Sequence, residues 1–293
     1  MIHTLHNSLL QLSVNTTGAE LCSLRSLASN IEYLWQADPE FWANHAPVLF
    51  PIVGGLKHNL YVHEGKEYSL PRHGFIRYND KIVLRRKGED FLTYGLRYDA
   101  ESLEVYPFKF DFEITFRLQG HQIVVHHQVR NLGKKSMYFS VGGHPAFSCP
   151  LHPDESYADY YLEFEQNETV RTWVLDTGGQ IEKEGPLMLN KSAVLPLHDQ
   201  LFDNDALIFK DLSSKRVRLK SRKSGQILTV RYDNWPYLGI WAKPGASFVC
   251  IEPWLGLADH SDTDQVLKNK IGILMLEAQA QFDASYMIEI EEG

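Results

Sequence analysis

The sequence predicts an all-β protein, a large antiparallel β-sandwich with few short helices. Strand-like runs recur from one end of the 293-residue chain to the other. The clearest run, 110–118, alternates apolar and polar residues without interruption, as a half-buried strand does. No alternation of strands and helices is present, which disfavours a doubly wound parallel sheet. A hydrophobic content of 44% is enough for a large core, and the even strand density predicts a single domain over residues 1–293.

Local patterns place the individual elements. Alternating or uninterrupted apolar runs predict strands at 8–14, 31–35, 110–118, 122–129, 215–220, 226–232, 248–251, 271–276 and 284–290. Asp38 before Pro39 is typical of a helix start, because aspartate caps the first turn and proline suits its first position. A further helical turn or two is expected within 262–269.

Charge and composition exclude several classes of protein. The chain has 29 basic and 37 acidic side chains, a net charge of −8, so we expect no nucleic-acid partner. No run of 18 or more apolar residues exists, so we expect no membrane span. The beginning of the chain lacks a basic segment followed by an apolar one, and the three cysteines are few and far apart. These features predict a cytoplasmic protein without a disulfide framework.

Two titratable residues stand directly before a proline and after an apolar run. His144 precedes Pro145, and Glu252 precedes Pro253. Proline confines the preceding residue to extended backbone and offers no hydrogen-bond donor, so we expect each strand to end there with its side chain held in a limited direction. Such a pair suits acid/base chemistry. Each residue also fits a purely structural role, His144 bonded to a backbone carbonyl and Glu252 in an ion pair.

Other polar and aromatic residues could complete a ligand site. Arg72 and Arg77 could hold a hydroxyl-rich or anionic ligand, although the segment around them also reads as a surface turn. Asp205 precedes an apolar run and could equally cap a turn. Four aromatic residues lie close to Glu252 in sequence, and one or two of them could form a platform for one face of a sugar ring, although each also fits a role in core packing: Trp235, Tyr237, Trp241 and Trp254.

Metal ligation is not expected from the sequence. The chain has 13 histidines, but none lies at a metal-binding spacing, and the adjacent His126 and His127 would point to opposite faces of a strand. Nucleotide-binding glycine motifs and a serine-nucleophile elbow are also absent. We therefore expect neither a metal nor another cofactor.

Five segments taken together resemble the aldose 1-epimerase (galactose mutarotase-like) family, in particular a bacterial branch. In chain order they are Pro39-Glu40-Phe41-Trp42 with the run 46–54, Pro71-Arg72-His73-Gly74-Phe75, Gly143-His144-Pro145-Ala146-Phe147, Asp205-Ala206-Leu207-Ile208-Phe209 and Ile251-Glu252-Pro253-Trp254. Each is short, but their order over nearly the whole chain is specific.

The resemblance implies a galactose mutarotase-like supersandwich and the interconversion of α and β anomers of a free aldose without a cofactor. It implies Glu252 as general base and a protonated His144 as general acid, with His73 and Asp205 holding the sugar. One position departs from the pattern. Family members commonly carry an arginine where this chain has Gly55, so either Lys57 or Arg72 supplies the missing charge or the ring-oxygen side of the site is altered.

Three other functions remain open at this stage. The departure at Gly55 allows a sugar-binding protein without turnover. Lys57, His58, Arg72 and Arg77 allow a phosphorylated hexose as the substrate. A glycosidase would need two carboxyl groups flanking a glycosidic bond, with Asp205 beside Glu252. The expected partner is in each case a small-molecule sugar, and the chain is expected to be a monomer or homodimer.

Overall fold

The computed structural model of the protein describes residues 1–291 and consists mainly of strands, as predicted. In chain order the strands are β1 (Ile2–His6), β2 (Leu10–Asn15), β3 (Glu20–Ser26), β4 (Val48–Leu49), β5 (Leu60–His63), β6 (Lys66–Ser69), β7 (Val83–Lys87), β8 (Phe91–Arg97), β9 (Phe110–Gln119), β10 (Gln122–Asn131), β11 (Met137–Phe139), β12 (Val141–Gly143), β13 (Ala146–Ser148), β14 (Tyr160–Leu175), β15 (Ile181–Pro196), β16 (Leu207–Lys210), β17 (Arg216–Ser221), β18 (Gly225–Arg231), β19 (Tyr237–Trp241), β20 (Phe248–Leu255), β21 (Leu274–Leu276) and β22 (Gln281–Ile290).

Helices are few and short, again as predicted. Within residues 1–291 there is one α-helix, α1 (Ala100–Val105), and the 3₁₀ turns are Thr17–Ala19, Lys57–Asn59, Ile76–Tyr78, Tyr157–Asp159 and Leu267–Asn269. None of the helices in this part of the chain has the length and apolar character needed to cross a membrane.

A 15-stranded antiparallel sheet forms most of the structure. Its strand order is β4-β12-β20-β19-β16-β14-β17-β18-β22-β10-β9-β8-β7, with β13 also paired to β20 and β15 to β14. Smaller sheets join β1-β2-β3, β5-β6 and β11-β21. Every ladder between these strands is antiparallel, which confirms the predicted fold class.

Strand β9 shows how the predicted alternation works in the structure. Its apolar residues from Phe110 to Leu118 face the core and are buried. The opposite face is covered as well, because Asp111 and Glu113 are buried under Arg85, whose guanidinium donates to both carboxylates at 2.6 and 2.8 Å. The ion pairs with Arg85 therefore compensate for burying the charges of Asp111 and Glu113, which lie on the face that the sequence pattern predicts to be polar.

Two predicted elements are wrong. The segment 31–35 forms isolated bridges rather than a strand, because the Glu32 carboxylate accepts the N–H groups of Leu24 and Leu34 and so replaces a ladder partner. The helix expected at Asp38 stops after one turn, in which Asp38 does accept the N–H groups of the following residues. The Trp42 carbonyl then accepts the indole N–H of Trp35, so the chain leaves the helical path.

Strand β20 does not end at Glu252 as predicted but continues through Pro253 to Leu255. The Ile251 N–H donates to the carbonyl of Pro145, which lies between β12 and β13. Alternate residues of a strand direct their nitrogens to the same side, so the nitrogen of Pro253 faces the same interruption. A proline is tolerated in this central strand because the missing donor falls where the neighbouring strand is broken.

His127 is a buried histidine of β10 that lies in the core. Its ring contacts the rings of Phe112, Trp235 and Tyr286, and neither of its nitrogens has a hydrogen-bond partner among residues 1–291. Burial lowers the pKa of His127 to about 3, because the core disfavours the charged imidazolium.

We expect His127 to make the fold sensitive to mild acid. The unfolded chain binds a proton at His127 below an ordinary pKa near 6.5, whereas the folded chain does not until about pH 3. Stability from this residue is therefore fully present above pH 6.5 and falls by about 2 kcal/mol on going to pH 5. Urea unfolding of His127→Leu at pH 8 and pH 5 should show a smaller difference than that of the wild type. The exposed His198→Gln provides the control, and equal differences in all three proteins contradict the expectation.

Candidate active site

An open cleft of about 540 Å³ gathers most of the residues that the sequence singles out. Its lining includes His73, His144, Glu252, Arg72 and Asp205, together with Trp254, Arg77, Trp42, Trp241, Asp203 and Lys243. These side chains come from five separate regions of the sequence. The sheet and its connecting loops bring them to one concavity.

Strand register brings His144 to Glu252. Gly142 of β12 pairs with Trp254, and Ala146 of β13 pairs with Cys250. Both pairs belong to one continuous register, which places position 144, in the interruption between β12 and β13, opposite position 252. In this interruption the His144 N–H donates to the carbonyl of Pro47, on the side away from β20, and the residue stays level with Glu252.

His144 and Glu252 lie in contact at the floor of the cleft. Nδ1 of His144 is 3.2 Å from Oε2 of Glu252, and the two residues are only 8% and 1% exposed. The two atoms are not aligned as a hydrogen bond, and neither has another hydrogen-bond partner among residues 1–291. Since Nδ1 faces the carboxyl group, Nε2 is the ring nitrogen left for a ligand.

Two tryptophans hold the imidazole of His144 in place. The ring of Trp42 stacks on it with 4.9 Å between centroids, and the ring of Trp241 meets it edge-on at 5.8 Å. These contacts limit the rotation of the imidazole and keep water from its faces. The resemblance identifies the segment of Trp42 as a family motif, but only the structure shows this contact with His144.

Burial drives both members of the pair towards their neutral forms. Desolvation, with Arg77 and Arg72 nearby, lowers the pKa of His144 to about 3. Desolvation also raises the pKa of Glu252 well above its ordinary value, although the indole of Trp254 and the two arginines oppose this. Burial therefore favours an un-ionised carboxyl group on Glu252 and a neutral imidazole on His144. This differs from the imidazolium implied by the family resemblance.

His73 is fixed by a reciprocal contact with Gly54. The backbone N–H of His73 donates to the Gly54 carbonyl, and the Gly54 N–H donates to Nδ1 of His73 at 3.1 Å. A neutral imidazole that accepts at Nδ1 has its proton on Nε2. Burial, followed by the neighbouring His144 and arginines, lowers the pKa of His73 and keeps it neutral. His73 thus offers one N–H donor of known position.

Asp205 and Arg72 form the more exposed side of the cleft. Nη2 of Arg72 lies 3.7 Å from Oδ2 of Asp205, and the Ala206 N–H donates to Oδ1 at 2.7 Å. Asp205 has a φ of +75°, a left-handed conformation that aspartate tolerates better than most residues. The expected turn role and the expected site role of Asp205 therefore coexist.

Trp254 lies flat across the sheet beneath the cleft because glycine occupies both neighbouring strands. A Cβ at Gly142 or at Gly239 would stand 2.8 or 2.5 Å from the indole. Any larger residue would displace the ring. Gly142 and Gly239, which belong to no recognisable motif, therefore leave the space that the indole of Trp254 occupies beneath the cleft.

Lys57 does not line the cleft, unlike the other predicted site residues. Its Nζ donates to the carbonyl of Ser261 at 2.7 Å. Gly55 faces the turn that contains Gly179, and Arg72 approaches that same turn. Of the two residues proposed to replace an arginine at position 55, Arg72 is therefore the one that reaches the cleft. Lys243, which the sequence did not single out, supplies a further cation there.

Comparison with known proteins places the chain in a family. The family model described as aldose 1-epimerase matches residues 1–269, so the chain belongs to the aldose 1-epimerase family. The protein named LacX, plasmid, from Lactococcus lactis subsp. lactis is 35% identical over 280 residues, 91% of each chain.

Two solved structures of lactobacilli share the whole fold. A galactose mutarotase related enzyme from Lactobacillus acidophilus is 34% identical with a TM-score of 0.93, over 100% of this chain and 98% of its own. A galactose mutarotase-like protein from Lactobacillus casei ATCC 334 is 30% identical with a TM-score of 0.92, over 99% and 100%.

The buried carboxyl group makes a prediction about stability. Glu252 is protonated in the folded chain at pH values where the unfolded chain has lost the proton, so its contribution is present below pH 4.5 and is lost as the pH rises. Glu252→Gln resembles the protonated acid and does not titrate. The variant should therefore gain stability over the wild type as the pH increases from 5 to 8, measured by urea unfolding. Glu182→Gln, an exposed carboxyl change, serves as the control. A constant difference between Glu252→Gln and the wild type would contradict the assignment.

Proposed function

We propose that the protein is an aldose 1-epimerase that interconverts the α and β anomers of a free aldose. The observation that supports this most is the contact of His144 with Glu252 at the floor of an open cleft. The reaction removes the proton of the C1 hydroxyl and protonates the ring oxygen. It therefore needs one acid and one base around a single hemiacetal, which is what the pair offers.

The proton can move through the pair without creating an isolated buried charge. Glu252 accepts the proton of the C1 hydroxyl as its own proton passes to Nδ1 of His144. The Nε2–H of His144 is donated to the ring oxygen, and the C1–O5 bond breaks to give the aldehyde. Rotation about C1–C2 and the reverse transfers close the ring as the other anomer. Together the transfers leave the carboxyl group un-ionised and the imidazole neutral, as before, so the pair gains no net charge.

The remaining cleft residues are assigned to holding the sugar. His73 donates from Nε2 to a hydroxyl, and Asp205 accepts from others, with Arg72 at its side. Trp254 supplies an apolar surface against a ring face. This set distinguishes a polyhydroxylated ring from an apolar ligand.

The structure favours this function over two of the alternatives. A glycosidase requires a second carboxyl group beside the scissile bond, whereas the group in contact with Glu252 is an imidazole. A protein that only binds a sugar does not need a buried carboxyl group in contact with a buried imidazole. Anomer exchange that runs no faster than the spontaneous reaction would nevertheless establish the binding protein.

Replacement of the carboxyl group tests the reaction. We expect Glu252→Gln to slow anomer interconversion by about 10²–10⁴-fold, because an amide cannot pass on a proton. The measurement is NMR exchange or polarimetry on freshly dissolved aldoses, screened as a panel.

Two results define the outcome. The exposed Glu182→Gln should retain the wild-type rate, and a folded Glu252→Gln that does so as well would refute the proposed role. A wild-type protein that binds a sugar in calorimetry but does not accelerate any member of the panel would refute the activity itself.

A phosphorylated hexose is the second candidate substrate, and the charges of the cleft favour it. Arg77 and Lys243 both line the cleft, and neither pairs with a carboxylate in residues 1–291. Unpaired cations of this kind suit a phosphate group carried by the sugar.

The two substrates are distinguished by Lys243. If the substrate carries a phosphate, Lys243→Ala should lower kcat/KM for the hexose phosphate by roughly tenfold or more, the effect of losing one charged hydrogen bond. The rate for the unphosphorylated aldose should be unchanged, and Lys268→Ala, on the distant 3₁₀ turn Leu267–Asn269, is the control. Equal effects on both sugars would exclude phosphate recognition by Lys243.

A further inference from the structure

A third titratable side chain lies against the acid/base pair. Cys250 stands two positions before Glu252 on β20, so both side chains leave the same face of the strand. Sγ of Cys250, the His144 nitrogen and the Glu252 oxygen all lie within 4.8 Å of one another. All three residues are buried, and the proposed proton relay does not use the thiol.

This arrangement has the ligand set of a zinc site. Zinc takes imidazole nitrogen, thiolate sulfur and carboxylate oxygen, in tetrahedral geometry with bonds of about 2.0–2.3 Å. Two ligands at about 2.0 Å and the tetrahedral angle stand about 3.3 Å apart. Nδ1 of His144 and Oε2 of Glu252 are 3.2 Å apart and have no hydrogen-bond partner in the described chain. Sγ of Cys250 lies within 4.8 Å of the ligand atoms of His144 and Glu252, and a bound ion would draw it closer to them.

We propose that His144, Cys250 and Glu252 bind a zinc ion, with the fourth position open to the cleft, and that the bound ion inhibits the epimerase. The inhibitory part rests on the proposed function, since the ion occupies the two atoms between which the proton moves. The sequence did not predict this site because His144 is far along the chain from Cys250 and Glu252, and the three residues match no metal-binding spacing.

Charge balance makes such an ion acceptable in a buried site. Binding releases the thiol proton of Cys250 and the carboxyl proton of Glu252, which leaves a thiolate, a carboxylate and a neutral imidazole. Their two negative charges cancel those of the ion, so the centre is neutral overall. The soft thiolate and the imidazole favour zinc or cobalt over magnesium and calcium, which prefer oxygen ligands.

Cobalt(II) is the probe for binding, because its absorption reports the ligands without reference to activity. The wild-type protein should develop a thiolate-to-cobalt charge-transfer band and the visible bands of a tetrahedral ion at one equivalent of Co²⁺, and Zn²⁺ should displace them. Cys250→Ser, nearly isosteric, should lack the thiolate band. It should also bind Zn²⁺ more weakly by more than the roughly 10–100-fold that loss of an outer-shell partner costs, because it loses a direct ligand. Cys149→Ser removes an equally buried cysteine outside the group and should behave as the wild type.

Activity assays complete the test. Zn²⁺ should inhibit anomer interconversion by the wild type and by Cys149→Ser, whereas Cys250→Ser should keep its rate at the same Zn²⁺ concentration, and Mg²⁺ should inhibit none of them. A wild-type protein without a thiolate–cobalt band overturns the site, whether or not Cys250→Ser folds. Zn²⁺ that binds with this signature yet leaves interconversion unaltered overturns the inhibition and, with it, the assigned role of the pair. A wild type that does not interconvert sugars but shows the band leaves the metal site standing and refutes only the proposed function.

Discussion

The break between β12 and β13 is the feature on which the candidate site depends. The ladder resumes in the same register on both sides of the break, so His144 stays opposite Glu252 although it makes no ladder contact of its own. The missing donor of Pro253 faces the same gap. Without the gap, proline would remove a hydrogen bond from a central strand.

Burial of the pair then determines its electrostatics. An imidazole against Trp42 and Trp241 and a carboxyl group that is almost inaccessible both resist carrying charge. An un-ionised carboxyl group beside a neutral imidazole is the state of lowest desolvation cost. The reaction proposed for this site begins and ends in that same uncharged state, so turnover adds no net charge to the buried pair.

Much of the fold can be predicted from the sequence. The candidate residues of the site can also be predicted, but their arrangement in space cannot, and the physical reason differs from residue to residue. Strand β9 is predictable because its alternation is local. The helix α1 also has a local signal, because Asp99 and Ser102 lie three positions apart and cap each other at its start. The prediction of a strand at 31–35 is wrong because the Glu32 side chain accepts a backbone N–H group that a neighbouring strand would otherwise bind. His144 and Glu252 stand out through their prolines, but their meeting depends on a register between distant strands that no local pattern encodes.

The position of Cys250 follows from the same geometry. A pair whose two facing atoms are 3.2 Å apart and unpartnered is suited to pass a proton, but that spacing also suits two ligands of a small tetrahedral ion. The period of a strand places residue 250 beside residue 252 on one face, so any ligand-forming side chain at 250 becomes the third donor. In the zinc site proposed here, the residue two positions before Glu252 therefore supplies the ligand that the proposed proton relay does not use.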